Sequence, residues 1–90
     1  MVFETTDEII KSVAKRFKKI RKSKNITQLE LAKMSNVSYG TIKRFETQGE
    51  ISLSSLTKLC VALDIVDNIL TLFTNVTFSN IEEVIRYGKN

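Results

Sequence analysis

The segment spanning residues 27–48 places the tightest constraint on the fold. Its sequence, TQLELAKMSNVSYGTIKRFETQ, predicts two short helices joined by a tight turn. Thr27 and Ser38 are typical helix N-caps, because a hydroxyl oxygen can accept a hydrogen bond from a backbone N–H of the first turn. Asn36 lies between the helices, and asparagine tolerates the left-handed backbone that ends many helices. We therefore expect the rest of the chain to pack around this pair of helices.

Small and apolar side chains give both helices an inward face. Leu31 and Ala32 form this face in the first helix, and the small methyl group of Ala32 allows a second helix to approach closely. Val37 is expected to fill the corner of the turn. In the second helix, Ile42 and Phe45 are three residues apart and therefore point to the same side.

The opposite side of the second helix is polar and basic. It carries Gly40, Lys43, Arg44 and Thr47, with Tyr39 beside them. Amphipathic helices usually have a solvated polar face, so an interpretation without any ligand is available. However, a small residue, a left-handed turn, an apolar corner and a capped polar helix in this order are typical of helix-turn-helix units. The second helix of such a unit enters the DNA major groove.

The chain resembles the helix-turn-helix domains of Cro and phage repressors, also called the xenobiotic-response-element (XRE) type. The resemblance rests on ITQLELAKMSNVS followed by TIKRFE, and it extends from about Ile9 to about Phe73. It implies an all-α, five-helix repressor-like domain that binds double-stranded DNA sequence-specifically as a dimeric repressor. By the same resemblance, Gln28 binds a phosphate and supports the reading helix.

The resemblance also places DNA contacts on the second helix. Arg44 or Lys43 is expected to bind guanine O6 and N7. Tyr39 or Thr41 is expected to meet a thymine methyl group. The complete set of expected DNA-binding residues is Lys22, Lys24, Gln28, Ser38, Tyr39, Gly40, Thr41, Lys43 and Arg44. Many family members have a polar residue where this chain has Gly40, so either one contact is lost or the backbone approaches the DNA more closely.

Length and charge are consistent with one small DNA-binding domain. Ninety residues bury one modest core, and the chain has no proline to interrupt a helix. The formal net charge of +4 is unevenly distributed, because eight of the fourteen Lys and Arg residues lie within residues 11–24, where there is no acid. Residues 50–90 carry five acids and three bases. The basic half therefore adjoins the predicted DNA-binding segment.

A first helix is predicted to begin at Thr5 or Thr6. One side of this helix is an apolar stripe, and the other side is basic. Basic amphipathic helices are also typical of membrane-surface and calmodulin-binding segments. In a folded domain, however, the core would cover the whole apolar stripe. Lys22 and Lys24 are the lysines nearest the motif and the best candidates for phosphate contacts. The apolar stripe consists of Ile10, Val13, Ala14, Phe17 and Ile20.

An ion pair is predicted between Arg21 and Glu46. Arg21 lies just beyond the apolar stripe of the first helix, and Glu46 lies between the directions of Ile42 and Phe45. An unpaired carboxylate would be costly on that inward side. Repressors of the family commonly have an Arg–Glu pair at these positions.

A fourth helix is predicted after Ser52, which is the next cap. Its apolar stripe includes Cys60, which is interpreted as a buried apolar residue rather than a reactive thiol because the chain has no histidine to activate it. A single cysteine cannot form an internal disulfide, which fits a cytoplasmic protein. The stripe consists of Leu53, Leu56, Leu59, Cys60 and Leu63.

A fifth helix is predicted to be apolar on two sides. One apolar stripe consists of Val66, Ile69, Leu70 and Phe73, and Ile65 and Leu72 add apolar surface on a second side. Such a helix requires two partners: the core, and either a second copy of the chain or the folded-back tail. The expected dimerisation residues are Ile65, Ile69, Leu72, Phe73 and Phe78.

We predict a DNA-binding domain over residues 1–75 and an extension over residues 76–90. The extension contains a candidate short strand around Phe78 and a capping box, Ser79 with Glu82, that starts a brief helix. The tail is similar to the end of small repressor-type regulators. Some of these are antitoxins of the HipB kind, which pair with a toxin kinase.

Two classes of function are compatible with these sequence features. The first is a DNA-binding regulator, and the second is an antitoxin or protein-interaction adaptor whose apolar tail binds another protein such as a toxin. An enzyme is not expected, because the chain has no histidine, no cysteine pair and no glycine-rich phosphate loop. We likewise expect no metal, no cofactor and no membrane span.

Overall fold

A computed structural model describes residues 4–75, and the regular secondary structure of this part is entirely helical. The prediction of an all-α domain with five helices is confirmed for these residues. The predicted strand around Phe78 and the brief helix after it lie outside the described residues. The helices are α1 (Thr6–Ser23), α2 (Gln28–Ser35), α3 (Tyr39–Gln48), α4 (Leu53–Ala62) and α5 (Asp67–Leu70).

Hydroxyl side chains cap the N-termini of the first four helices. At α1, the Thr5 hydroxyl accepts from the Glu8 N–H at 3.1 Å, and the Glu8 carboxylate accepts from the Thr5 N–H at 3.0 Å. Thr27 and Glu30 form the same reciprocal pair at α2, at 3.1 and 2.8 Å. The hydrogen bond from each threonine N–H lowers the pKa of its glutamate. Single hydroxyl caps begin α3 and α4, and they come from Ser38 and Ser52.

Residues with a left-handed backbone end the helices or follow their last turns. Asn36 closes α2 with φ 60°, as its residue type predicts, and Asn25 and Asp64 adopt similar angles. Gly49 ends α3 with φ 80°. A Cβ atom at Gly49 would lie 2.9 Å from the backbone carbonyl group of Ile10, so only glycine allows α3 to end against α1.

The core lies among the first four helices, where α1 packs on α3, and α2 packs on both α3 and α4. Phe17 of α1 and Phe45 of α3 pack edge to face, with ring centroids 5.2 Å apart. Cys60 is buried among these apolar side chains, and burial raises the pKa of its thiol. The buried apolar residues are Ala14, Phe17, Leu31, Val37, Ile42, Phe45, Leu59, Cys60 and Leu63.

The structure corrects the predicted stripes at two helices. Leu53 was assigned to the core, but its side chain lies in the first turn of α4 and is 63% exposed. Val13 on α1 is also exposed. Both positions match the helix period, but neither side chain is covered by the rest of the described chain.

The fifth helix is shorter than predicted, and its apolar residues divide differently. Ile65 and Ile69, both expected at a dimer interface, pack against the core. Leu70 and Phe73, predicted to share one stripe with Ile69, are 68% and 84% exposed. The physical reason is that α5 ends at Leu70 and Phe73 has a left-handed backbone with φ 65°, so helical periodicity does not apply there. Leu72 and Phe73, both expected at a dimer interface, are exposed.

Candidate nucleic-acid interface

The inner face of α3 fixes how its outer face is presented. Ile42 and Phe45 are almost fully buried, and the Glu46 side chain beside them is only 1% exposed. These residues hold α3 against α1 and α2. The residues on the opposite side of α3 therefore face solvent in a fixed orientation relative to α1 and α2.

Arg21 and Glu46 form a buried bidentate ion pair. Arg21 Nε donates to Glu46 Oε2 at 2.7 Å, and Arg21 Nη2 donates to Oε1 at 2.8 Å. Nη1 donates to the Ile26 carbonyl oxygen at 2.8 Å. The hydrogen bond to Glu46 raises the pKa of Arg21 above its already high ordinary value. The structure thus brings together the two residues that the sequence paired.

Gln28 adds α2 to this network. Its side-chain amide donates to Glu46 Oε1 at 2.9 Å, so one carboxylate of α3 is bound from both α1 and α2. The Gln28 amide has a second N–H, which this hydrogen bond leaves available for an outside acceptor such as a phosphate. Every buried side-chain nitrogen and oxygen in residues 4–75 has a hydrogen-bond partner.

The outer face of α3 carries a lysine beside an aromatic ring. The Lys43 ammonium group lies 5.2 Å from the centroid of the Tyr39 ring, within the range of a cation–π interaction. Tyr39 is 41% exposed, and its ring and the Lys43 charge form one continuous outer surface. Positive charge beside an exposed ring suits a polyanion whose major groove presents polar base edges and thymine methyl groups.

Arg44 binds a residue that the sequence reasoning did not single out. Its Nη2 and Nε donate to Oε1 of Glu50 at 2.6 and 3.1 Å, and the two side chains are 63% and 54% exposed. The sequence signal was weak: Glu50 is the acid that directly follows the glycine at the end of α3. Periodicity could not reveal the contact, because Glu50 lies outside the helix.

The first turn of α3 contains two hydrogen-bonded hydroxyl groups, and open space lies beside Gly40. The Ser38 hydroxyl donates to Thr41 Oγ1 at 2.7 Å, which leaves the Thr41 hydroxyl hydrogen for another acceptor. At Gly40, a Cβ atom would have no other atom within 4 Å. Packing inside the domain therefore gives no reason for glycine at this position.

The remaining sequence-predicted residues lie on other elements. Gln28 is the first residue of α2, whereas Lys22 lies in the last turn of α1 and Lys24 is its C-cap. Both lysines are exposed. Leu29, which follows Gln28 in α2, is 57% exposed, and packing inside the domain gives no reason for an apolar residue there.

The described residues show neither a metal centre nor a membrane span. Residues 4–75 contain no group of three or more His, Cys, Asp or Glu side chains arranged to hold a metal ion. Within the same range, no helix combines the length and apolar character needed to cross a bilayer.

This fold and this face together define a helix-turn-helix DNA-binding domain. Comparison with protein families gives a match to the helix-turn-helix model over residues 17–67, which is more than half of the chain. The chain belongs to this family, the Cro/C1 type also known as the XRE family, and it is a DNA-binding transcriptional regulator. The family is one of DNA-binding regulatory domains and is not typically enzymatic. Comparison with curated proteins gives no match.

Proposed function

We propose that this regulator is a dimeric repressor, acting in the cytoplasm, that reads a specific duplex sequence with the outer face of α3 in the major groove. One observation carries the proposal. A buried network of Arg21, Gln28 and Glu46 fixes the angle of α3, while the basic and aromatic side chains on its other face are exposed to solvent.

The side chains of α3 are assigned to groups on the DNA according to their chemistry. Arg44 presents N–H groups that match guanine O6 and N7, and Lys43 adds charge beside it. Tyr39 and Thr41 lie at the start of α3, where they can meet a thymine methyl group or a phosphate.

Flanking phosphates are assigned to residues outside the middle of α3. Gln28 has a free amide hydrogen at the start of α2, and Ser38 lies at the N-terminus of α3, where backbone N–H groups favour anions. Lys22 and Lys24 supply positive charge at the end of α1. Gly40 allows the helix backbone to approach the DNA closely, because no Cβ projects from it.

Exposed apolar side chains support the dimer. Leu70, Leu72 and Phe73 follow one another at the end of the described chain and are 47–84% exposed. Large apolar side chains grouped in this way usually mark an interaction surface. A second copy of the chain would cover them and give the pair the two-fold symmetry of a palindromic operator. Phe78, assigned to the same interface from the sequence, lies outside the described residues.

Selection from a random duplex library tests the proposal. The selected DNA is then compared with scrambled DNA over a series of salt concentrations. We expect a palindromic consensus, bound about a thousandfold or more tightly than scrambled DNA, with affinity that falls steeply with salt. Binding without a consensus would contradict sequence-specific reading.

Two variants locate the reading surface. Arg44→Ala is expected to weaken binding to the selected DNA by about 1–3 kcal/mol, because one bidentate base contact is lost. Lys58→Ala is the matched control, since it removes the same charge from an exposed position on α4. Equal effects of the two substitutions, with both proteins folded, would remove Arg44 from the proposed site.

An antitoxin or adaptor is the second candidate function. It is favoured by the same exposed apolar side chains, because a partner protein such as a toxin could cover them in place of a second copy. A monomeric protein that selects no consensus, and that loses binding to a co-expressed partner on Phe73→Ser, would support this alternative.

A further inference from the structure

An acidic residue lies on the face that we assign to DNA. Glu50 belongs to the loop between α3 and α4, and it is ion-paired with the candidate base reader Arg44. A carboxylate on such a face repels phosphates and lowers affinity for every DNA sequence. Its presence there therefore requires an explanation other than affinity.

The geometry of the pair leaves the reading edge of Arg44 open. Both hydrogen bonds go to a single oxygen, Oε1 of Glu50, and they come from Nε and Nη2 along one side of the guanidinium plane. The end of the plane, formed by Nη1 and the second N–H of Nη2, is not used by Glu50. These two parallel N–H groups are sufficient for a bidentate contact with guanine O6 and N7.

The backbone around Glu50 is held on both sides. Before it, Gly49 ends α3 with its N–H bonded to the Phe45 carbonyl oxygen at 2.8 Å, and it lies against the backbone of Ile10. After it, Ile51 packs against the core. The carboxylate therefore extends from a fixed point, whereas the long side chain of Arg44 would otherwise sample many rotamers.

We propose that Glu50 is a specificity-determining positioning residue, which holds the guanidinium of Arg44 by its side edge so that its end edge faces a guanine. The inference rests on the proposed reading of DNA by α3. Glu50 restricts Arg44 before binding, so less conformational entropy is lost when the guanine contact forms. Its charge weakens binding to every sequence alike, so the gain in discrimination comes from the positioning of Arg44.

The test compares Glu50→Ala with wild type on three duplexes: the selected operator, the operator with its Arg44-dependent guanine replaced, and scrambled DNA. We expect Glu50→Ala to bind scrambled DNA more tightly. The ratio of operator to scrambled affinity is expected to fall by about two- to fivefold, the range expected for one exposed ion pair. The preference for the guanine is expected to fall with that ratio.

Two controls separate positioning from charge. Asp64→Asn removes one negative charge at a position where asparagine tolerates the left-handed backbone, and it should leave the guanine preference unchanged. In an Arg44→Ala background, Glu50→Ala should change affinity for the operator and for its guanine-replaced form by the same factor.

Three results would overturn the inference. An unchanged guanine preference in Glu50→Ala would make Glu50 only a nearby charge. A stronger preference would mean that Glu50 competes with DNA for Arg44. A wild-type protein that selects no consensus would overturn the proposed reading of DNA together with this inference, whereas the first two results leave that proposed function standing.

Discussion

Replacing Glu46 with glutamine tests the buried network with the smallest change in shape. Glu46 Oε1 accepts from both Arg21 and Gln28, whereas Oε2 accepts only from Arg21 Nε. A glutamine side chain would best keep its oxygen at the Oε1 position. Its NH₂ group would then face the Arg21 Nε–H at the position where Oε2 accepted a hydrogen bond at 2.7 Å. One charged hydrogen bond is replaced by two opposed donors.

The expected cost of Glu46→Gln is about 3 kcal/mol of unfolding free energy. A hydrogen bond to a charged group contributes about 1.5–3 kcal/mol, and removing one partner of a buried ion pair costs about 3–5 kcal/mol. Glutamine retains two of the three hydrogen bonds, so we place the effect at the low end of the second range. For a domain of this size, 3 kcal/mol corresponds to a fall in Tm of roughly 12–24 °C.

The chain contains a matched control for this experiment. Glu50→Gln makes the same substitution in an exposed Arg–Glu pair, where we expect a cost below about 1 kcal/mol. Urea unfolding followed by circular dichroism gives both free energies under one set of conditions. Similar small costs for the two variants would refute the role assigned to the buried pair.

A double variant separates the effect of the network on stability from its effect on the angle of α3. Arg21→Met with Glu46→Leu removes both charges, and we expect it to recover most of the stability lost in Glu46→Gln, because no buried charge remains unpaired. DNA affinity should not recover with it, since Gln28 then has no partner on α3. Full recovery of both quantities would show that the network does not set the angle of α3.

Three further predictions follow from individual residues. Gly40→Ala should raise the unfolding free energy by up to about 0.5–1 kcal/mol, since the new Cβ meets no protein atom. Weaker operator binding by the same variant would show that DNA occupies the open space beside Gly40. Unchanged binding would contradict a close approach of DNA to the α3 backbone. Gly49→Ala should lower the unfolding free energy by about 1–3 kcal/mol because of its left-handed backbone and the 2.9 Å contact with α1, and a neutral result in urea unfolding would contradict that packing. The folded-state pKa of Glu30 is lowered by its hydrogen bond with Thr27, so its stabilising effect is present above the ordinary glutamate pKa and is lost as pH falls through the lowered value; Glu30→Gln should flatten the decline in Tm below about pH 4.3, and an unchanged acid limb would contradict the capping role.

The sequence was most informative where structure is decided by residues close together in the chain. The caps at Thr27 and Ser38 act on N–H groups three residues away, and the left-handed Asn36 acts on its own helix end. The Arg21–Glu46 contact spans 25 residues, but it could still be inferred, because a carboxylate on a buried helix face requires a cation.

The sequence was least informative where periodicity ends. The stripe drawn through Phe73 assumed that α5 continued, whereas the helix ends at Leu70 and the following backbone turns. The Arg44–Glu50 contact was missed because it depends on the path of a loop and on two long side chains. Neither property is encoded in a repeating pattern.

The helix N-caps, which are formed by residues close in the chain, also affect how quickly the protein becomes functional. Each of the first four helices begins at a cap made within its own first turn, so its start can form before distant segments arrive. Small helical domains fold in roughly microseconds to milliseconds, and the absence of proline removes slow isomerisation of X–Pro bonds. A ribosome adds only about 5–20 residues per second. We therefore expect the time needed to produce the folded regulator to be set by translation, not by folding.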